Sequence, residues 1–398
     1  MATQQTDASV KARIILSVLF PLMGLVSCAS VELPPVPPQA AGPAIDAQPA
    51  PAEASAQTTA PGQPNLGGPI LQRSKSRWVP VAWSELPGWS DDPVEQVWQA
   101  QLHSCRRPHP AFAALCPQIG QLAQAPPHTQ REWMMKHLQP YRIEEPDGKS
   151  EGLLTSYFEP ILAARRHRDA QHSVPLYAPP ADLAGRKPWF TRQEIDTLPA
   201  ARKALQGREI AWLADPIDAM LLHIQGSGRL LLTDAEGRQR QVRAAFAGSN
   251  DQPYRSINQW LIEQGVQRIH PWPEATKAWA AQHPQRVQAL LWSNPRYVFF
   301  REEAIADPLE GPRGAQGVPL SAGRSIAVDP GSIPYGTPVW LVSRGPVAPL
   351  ARLVMAQDTG SAIVGAIRAD YFAGTGEAAG QWAARIRQPL QLWALWPR

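Results

Sequence analysis

Leu353-Val-Met-Ala-Gln-Asp-Thr-Gly-Ser-Ala-Ile-Val-Gly-Ala-Ile-Arg-Ala-Asp370 places two aspartates, Asp358 and Asp370, twelve residues apart, each after an apolar run. Residues 353–357 read as a strand, Asp358-Thr-Gly360 as a turn, and residues 362–368 as a return strand. Such a strand pair can bring two carboxylates near each other. Close carboxylates in a partly dry site raise each other's pKa, and desolvation adds to the effect. One then stays protonated near neutral pH, as a general acid must. The competing reading makes both aspartates strand-end residues bonded to local backbone N–H groups. Asp358-Thr-Gly360 also matches the aspartic-protease triplet, but those enzymes use two such aspartates. This chain has one copy, so protease activity would require a dimer.

Outward from this stretch, Ser325–Val328 and residues 339–342 and 392–396 also read as strands, which makes the C-terminal hundred residues β. Residues 153–157 form another strand. Leu230-Leu-Leu232 and residues 241–245 flank Asp234-Ala-Glu-Gly237 and predict a hairpin. Helices are expected in several places. Asp92-Pro93 reads as an N-cap before Val94, Val97, Trp98 and Leu102 at helical spacing. Residues 110–119, 130–138, 256–264 (closed by Gly265) and 273–292 complete the set. The 43 prolines are about 11% of the 398 residues, roughly twice the usual share. They argue against a helical bundle. The fold class is therefore mainly β with helices, α+β, and no internal repeat is present.

The first residues read as address and tether. Lys11 and Arg13 precede the apolar residues 14–26, and Leu25-Val-Ser-Cys28 closes the run. A basic start with so short an apolar run predicts a secretory signal over residues 1–27. Its close resembles a bacterial lipobox, which would make Cys28 the lipidated N-terminus. Ala29, rather than aspartate, favours the outer membrane, facing the periplasm. Residues 28–75 are rich in Pro and Ala, with Glu32, Asp46 and Glu53 the only charges up to about residue 70. They read as a semi-extended tether. No apolar stretch reaches the roughly 18 residues of a membrane helix. No Lys/Arg block marks a nucleic-acid footprint, although the body is moderately basic and suits an anionic polymer. In an oxidising compartment Cys105 and Cys116 are expected to pair, the alternative being two buried thiols. His103 and His109 lack zinc spacing, so no metal is expected.

Three further segments look too particular for scaffold. They are Gly152-Leu-Leu-Thr-Ser-Tyr-Phe-Glu-Pro160, Asp215-Pro-Ile-Asp-Ala-Met-Leu-Leu-His-Ile-Gln-Gly-Ser-Gly228, and Arg324-Ser-Ile-Ala-Val-Asp-Pro-Gly-Ser-Ile-Pro-Tyr-Gly-Thr337. Gly226-Ser-Gly228 lacks the lysine of a phosphate loop and the full dinucleotide fingerprint. It reads as a close-approach or sugar-binding turn, with Gln225 and Ser227 offering an amide and a hydroxyl to a polyhydroxylated ligand. His223, after Met220-Leu-Leu222, reads as a satisfied half-buried histidine. The 15 tryptophans supply core and, on some faces, platforms for sugar rings.

In this order the four segments resemble the membrane-bound lytic transglycosylase A family, over roughly residues 83–396. Residues 249–257 and 294–301 look like family segments too. The C-terminal part resembles the three-aspartate domain, whose aspartates map to Asp329, Asp358 and Asp370. The resemblance implies a lyase that cleaves the β-1,4 bond between N-acetylmuramic acid and N-acetylglucosamine in peptidoglycan, leaving 1,6-anhydromuramoyl ends, without cofactor. It implies a large domain containing a double-psi β-barrel (residues 76–162 and 297–398), a smaller inserted β domain (163–296), and a groove between them. By position, Asp370 is the acid/base, Asp358 its neighbouring support and Asp329 a structural turn residue. Thr155 and Tyr157 join Gln225 and Ser227 as expected substrate contacts. Expected partners are glycan strands, the outer membrane through the lipid anchor, and cell-wall synthesis or hydrolysis machinery. A non-catalytic peptidoglycan-binding lipoprotein is the alternative. Asn258 and Met220 depart from the family pattern, which has glycine and more usually an aromatic there.

Overall fold

The computed structural model describes residues 68–266 and 273–398. The signal, Cys28 and nearly all of the tether therefore lie outside the described residues. Among the described residues, no helix is long and apolar enough to cross a membrane.

Six strands close a barrel. In order around it they are Arg387–Pro397, Pro338–Arg344, Pro349–Asp358, Ser325–Val328, Arg368–Thr375 and Gly152–Glu159, which pairs back to Arg387–Pro397. Two neighbouring pairs are parallel, Ser325–Val328 with Pro349–Asp358 and Arg368–Thr375 with Gly152–Glu159. Arg77–Pro80 and Leu138–Glu144 extend the sheet from the Arg387–Pro397 side. The barrel is the one the resemblance implies. Its sequence logic is period two with both faces buried. In Pro338–Arg344, Val339 and Leu341 enter the barrel core beside Leu154, Ile326, Val354 and Leu392. Trp340 and Val342 face the other way, onto Val97, Trp98, Trp133 and Met134 of the helices Glu95–Cys105 and Pro127–His137. Each such aliphatic side chain contributes about 1.5–3 kcal/mol by leaving water. Closure also demands Gly152, where a Cβ would lie 1.8 Å from the Ile367 carbonyl oxygen.

Between Gly152–Glu159 and Ser325–Val328 the chain builds a second sheet. Its order is Val298–Ala304, Gln239–Ser249, Gly228–Thr233, Ile161–Arg165, Glu209–Leu213 and Val174–Tyr177. The expected hairpin is present, with Thr233 opposite Gln239. The sheets meet at Glu159. Its carboxylate is enclosed by Arg229 at 2.8 Å, Arg243 at 2.5 Å and the Thr375 hydroxyl at 2.9 Å.

Four expectations are corrected. Of the strand expected over residues 362–368 only Arg368 is strand; the strand is Arg368–Thr375 and contains Asp370. Ile363, Ala366 and Ile367 are apolar because a loop tucks them inward, while Gly365 N–H donates to Asp329 and the Ala366 carbonyl accepts from Ser332. Residues 273–292 form two helices, Glu274–Gln282 and Val287–Trp292, since Pro284 cannot continue the first. Residues 110–119 likewise divide into Pro110–Ala113 and Cys116–Gln121, with Pro117 restarting the helix. Asp92 does not cap its helix, which starts at Glu95. Both of its carboxylate oxygens instead accept from the buried Arg324 at 2.9 Å.

Candidate active site

Asp370 and Asp358 lie on strands either side of Ser325–Val328, and both are register-paired with Ala327. On its other side Asp370 is paired with Thr155. Register partners on adjacent strands present side chains on a common face. With a register shift between Ile326 and Ala327 that brings Asp358 into line, the row Asp358, Ala327, Asp370, Thr155 places two half-buried carboxylates on the strands flanking one small side chain.

Asp370 Oδ1 accepts from the Thr155 hydroxyl at 2.5 Å, and Thr155 Oγ1 in turn accepts from Arg368 Nη2 at 2.7 Å. Burial pushes the Asp370 pKa up, opposed by the Thr155 hydrogen bond and the Arg368 charge. Asp358 Oδ2 accepts from the Tyr157 hydroxyl at 2.8 Å and Oδ1 from Ala315 N–H at 2.9 Å. Burial pushes Asp358 up to about 6, with the Asp370 charge adding and these hydrogen bonds opposing. Thr155 and Tyr157, expected as substrate contacts, therefore hold the two carboxylates.

From the inserted domain, Tyr254 approaches the same place. Burial raises its phenol, and the Asp370 charge contributes. Its loop is fastened by the fully buried Asn250, whose Nδ2 donates to the Phe190 and Pro295 carbonyls and whose Oδ1 accepts from Tyr297 N–H.

The other expected contacts are more deeply engaged. Gln225 ends the helix Pro216–Gln225, and its Oε1 accepts from Phe158 N–H at 2.9 Å. Ser227 is buried, with its Oγ 3.4 Å from Phe246 N–H. His223 is more buried than expected, packing on Tyr297, with its Nδ1 accepting from Arg192 Nη2 at 2.9 Å; burial holds its pKa well below the ordinary value. Met220 is core, packed with Ile217, Ile257 and Leu261, while Asn258 is exposed on the helix Ile257–Glu263. Asp329 sits apart from the pair. It accepts from Gly331 N–H, Gly365 N–H and Lys75 Nζ, each at 2.9 Å. Cys105 and Cys116 are disulfide-bonded. Among the described residues, no three or more His, Cys, Asp or Glu side chains gather as a metal site.

Sequence reasoning left Arg368, Ala327, Ala315 and Tyr254 without roles. Only Arg368 carried a local signal, since it lies two residues from Asp370 on the same strand face.

The family model described as "MltA specific insert domain" matches residues 153–301, and "3D domain" matches residues 324–396. The "Membrane-bound lytic murein transglycosylase A" of Vibrio cholerae is 32% identical over 262 residues, 63% of this chain and 66% of that protein. Its counterpart in Escherichia coli strain K12 is 30% identical over 266 residues, 64% of this chain and 68% of the relative. The chain belongs to the membrane-bound lytic murein transglycosylase A family. Membership makes it an enzyme of the peptidoglycan lytic transglycosylase class. The lytic transglycosylase LtgG of Burkholderia pseudomallei has a solved structure that is 40% identical. It aligns with a TM-score of 0.56 over 85% of this chain and 99% of that one.

Proposed function

We propose that the chain cleaves the β-1,4 bond from N-acetylmuramic acid to N-acetylglucosamine with Asp370 as the single acid/base. The observation that carries this reading is the setting of Asp370: a half-buried carboxyl, raised by burial, held by Thr155 and facing a small residue, Ala327. Protonated Asp370 donates to the glycosidic oxygen as the C1–O4 bond breaks, and N-acetylglucosamine leaves with that proton. The muramoyl C6 hydroxyl then attacks C1, and its proton returns to the Asp370 carboxylate. The sugar's own hydroxyl replaces the second carboxylate that a hydrolysing glycosidase needs. Intramolecular attack carries an effective molarity up to about 10⁵–10⁸ M, enough to outcompete water. Asp358, held by Tyr157 and the Ala315 N–H on the far side of Ala327, supports Asp370 through its charge.

Lipidation at Cys28 would hold this activity at the periplasmic face of the outer membrane, beside its glycan-strand substrate and the cell-wall machinery. The Cys-ended apolar run at residues 14–28 supports that placement.

Mass spectrometry of products released from purified sacculi tests the reaction. Wild-type protein is expected to give anhydromuramoyl ends and Asp370→Ala none. Reducing ends would make the chain a hydrolase. Binding without release would make it a non-catalytic wall-binding lipoprotein.

A further inference from the structure

Behind Asp358 lies a buried polar network that the reaction above does not use. Gln357, the preceding residue, is fully buried. Its Nε2 donates to the Ala100 carbonyl at 2.7 Å and to Ser104 Oγ at 2.9 Å, and its Oε1 accepts from Ser325 Oγ at 2.5 Å. Its backbone carbonyl accepts from Gln316 N–H at 3.0 Å. Gln316 is buried as well. Its Oε1 accepts from Ser104 Oγ at 3.1 Å and its Nε2 donates to the Arg107 carbonyl at 3.1 Å. Adjacent to Gln316 is Ala315, whose N–H reaches Asp358 Oδ1 at 2.9 Å. Hydrogen bonds and the intervening peptide links of residues 315–316 and 357–358 thus join Asp358 to the end of the helix Glu95–Cys105, where Cys105 is bonded to Cys116.

The loop that carries Ala315 has no slack. A Cβ on Gly314 would lie 2.4 Å from the Gln357 carbonyl oxygen and 3.2 Å from Asp358 Cβ. Burying amides and hydroxyls together is costly unless each finds partners. No side-chain polar atom of Ser104, Gln316, Ser325 or Gln357 is left orphaned among the described residues. Apolar side chains could fill the same volume without that demand. What they could not supply is a fixed direction for one backbone N–H.

We propose that Gln357, Gln316 and Ser104 are positioning residues that hold the Ala315 N–H on Asp358 and so set the protonation behaviour of that carboxylate. The proposal rests on the reading of Asp358 as support to Asp370. An N–H donated to a carboxylate favours its ionised form. Here it opposes the burial that raises Asp358. Loosening the network therefore raises Asp358 further.

The test is a carboxyl ¹³C NMR titration of full-length protein carrying labelled aspartate. Wild type is compared with Gln357→Leu, Gln316→Ala and the control Gln388→Leu. Gln388 is also buried, bonded to Ser343 and the Ala348 carbonyl, and makes no hydrogen bond to the Asp358 network. The Asp358 midpoint is expected to rise by about half a pH unit or more in both network variants and to stay in place in the control. If Gln357→Leu does not fold, Gln316→Ala decides. A midpoint unchanged in the folded network variants overturns the proposal and leaves the network merely structural. The sacculus assay on the same preparations keeps the two readings apart. A shifted midpoint without product from wild type would remove the lytic reading and leave the positioning role standing. Product with an unshifted midpoint would do the reverse.

Discussion

Asp358 and Asp370 share one neighbour: each is register-paired with Ala327, from opposite sides. The two carboxylate-bearing strands are therefore separated by the one strand that carries this small, buried side chain. Ala327→Val would add bulk to the gap between them, in a residue that favours strands more than alanine does. We expect kcat/KM to fall by about 10- to 100-fold, since small misplacements at a reacting centre cost that much. Sacculus kinetics on the folded variant would check it, and an unchanged rate would show that the substrate does not use this gap.

Removing the acid has a different signature. Asp370→Asn keeps the acceptor for Thr155 but cannot deliver a proton. Turnover should fall by about 10²–10⁴-fold, the usual worth of a positioned general acid. Thermal unfolding should show equal or higher stability, because the amide removes a half-buried ionisable group.

Asp358 predicts a pH dependence of stability. Its folded pKa, about 6, lies above that of an unfolded aspartate, about 3.9. Between these values the folded state binds more protons, so stability falls as pH rises through the window. The loss amounts to about 3 kcal/mol at most. Asp358→Asn lacks this slope. Its unfolding free energy relative to wild type should therefore increase from pH 4 to pH 7 in urea titrations. A constant difference would contradict the raised pKa.

Asp329 should behave as a fastening. Its carboxylate joins Lys75, the Gly331 turn and the loop at Gly365 that leads into the Asp370 strand. Asp329→Ala is expected to cost about 1–3 kcal/mol, the penalty for stranding buried donors. The folded fraction should keep most of its turnover. A loss as large as that of Asp370→Asn would put Asp329 in the chemistry.

Glu159 secures the join between the barrel and the inserted sheet. Glu159→Ala leaves Arg229 and Arg243 buried with only carbonyl partners, which should cost about 3–5 kcal/mol. Denaturant unfolding of Glu159→Ala, Arg243→Ala and the double variant should show the double costing less than the sum.

The sequence by itself determined what local pattern can carry. Apolar runs marked most barrel strands, Asp234-Ala-Glu-Gly237 marked a hairpin, and the ordered motifs marked Asp358 and Asp370 as the pair to examine. It misread residues 362–367, because a buried loop is as apolar as a strand and nothing local distinguishes them. Only the tertiary structure decided which groups surround the carboxylates. Thr155 meets Asp370 across 215 residues of chain, and Tyr157 meets Asp358 across 201. Their hydroxyls hold carboxylates because strands distant in sequence pair in one register, and a slip of one residue would turn every side chain to the other face. Barrel closure selects that register through the summed burial of both strand faces, a property of the whole ring that no single segment contains.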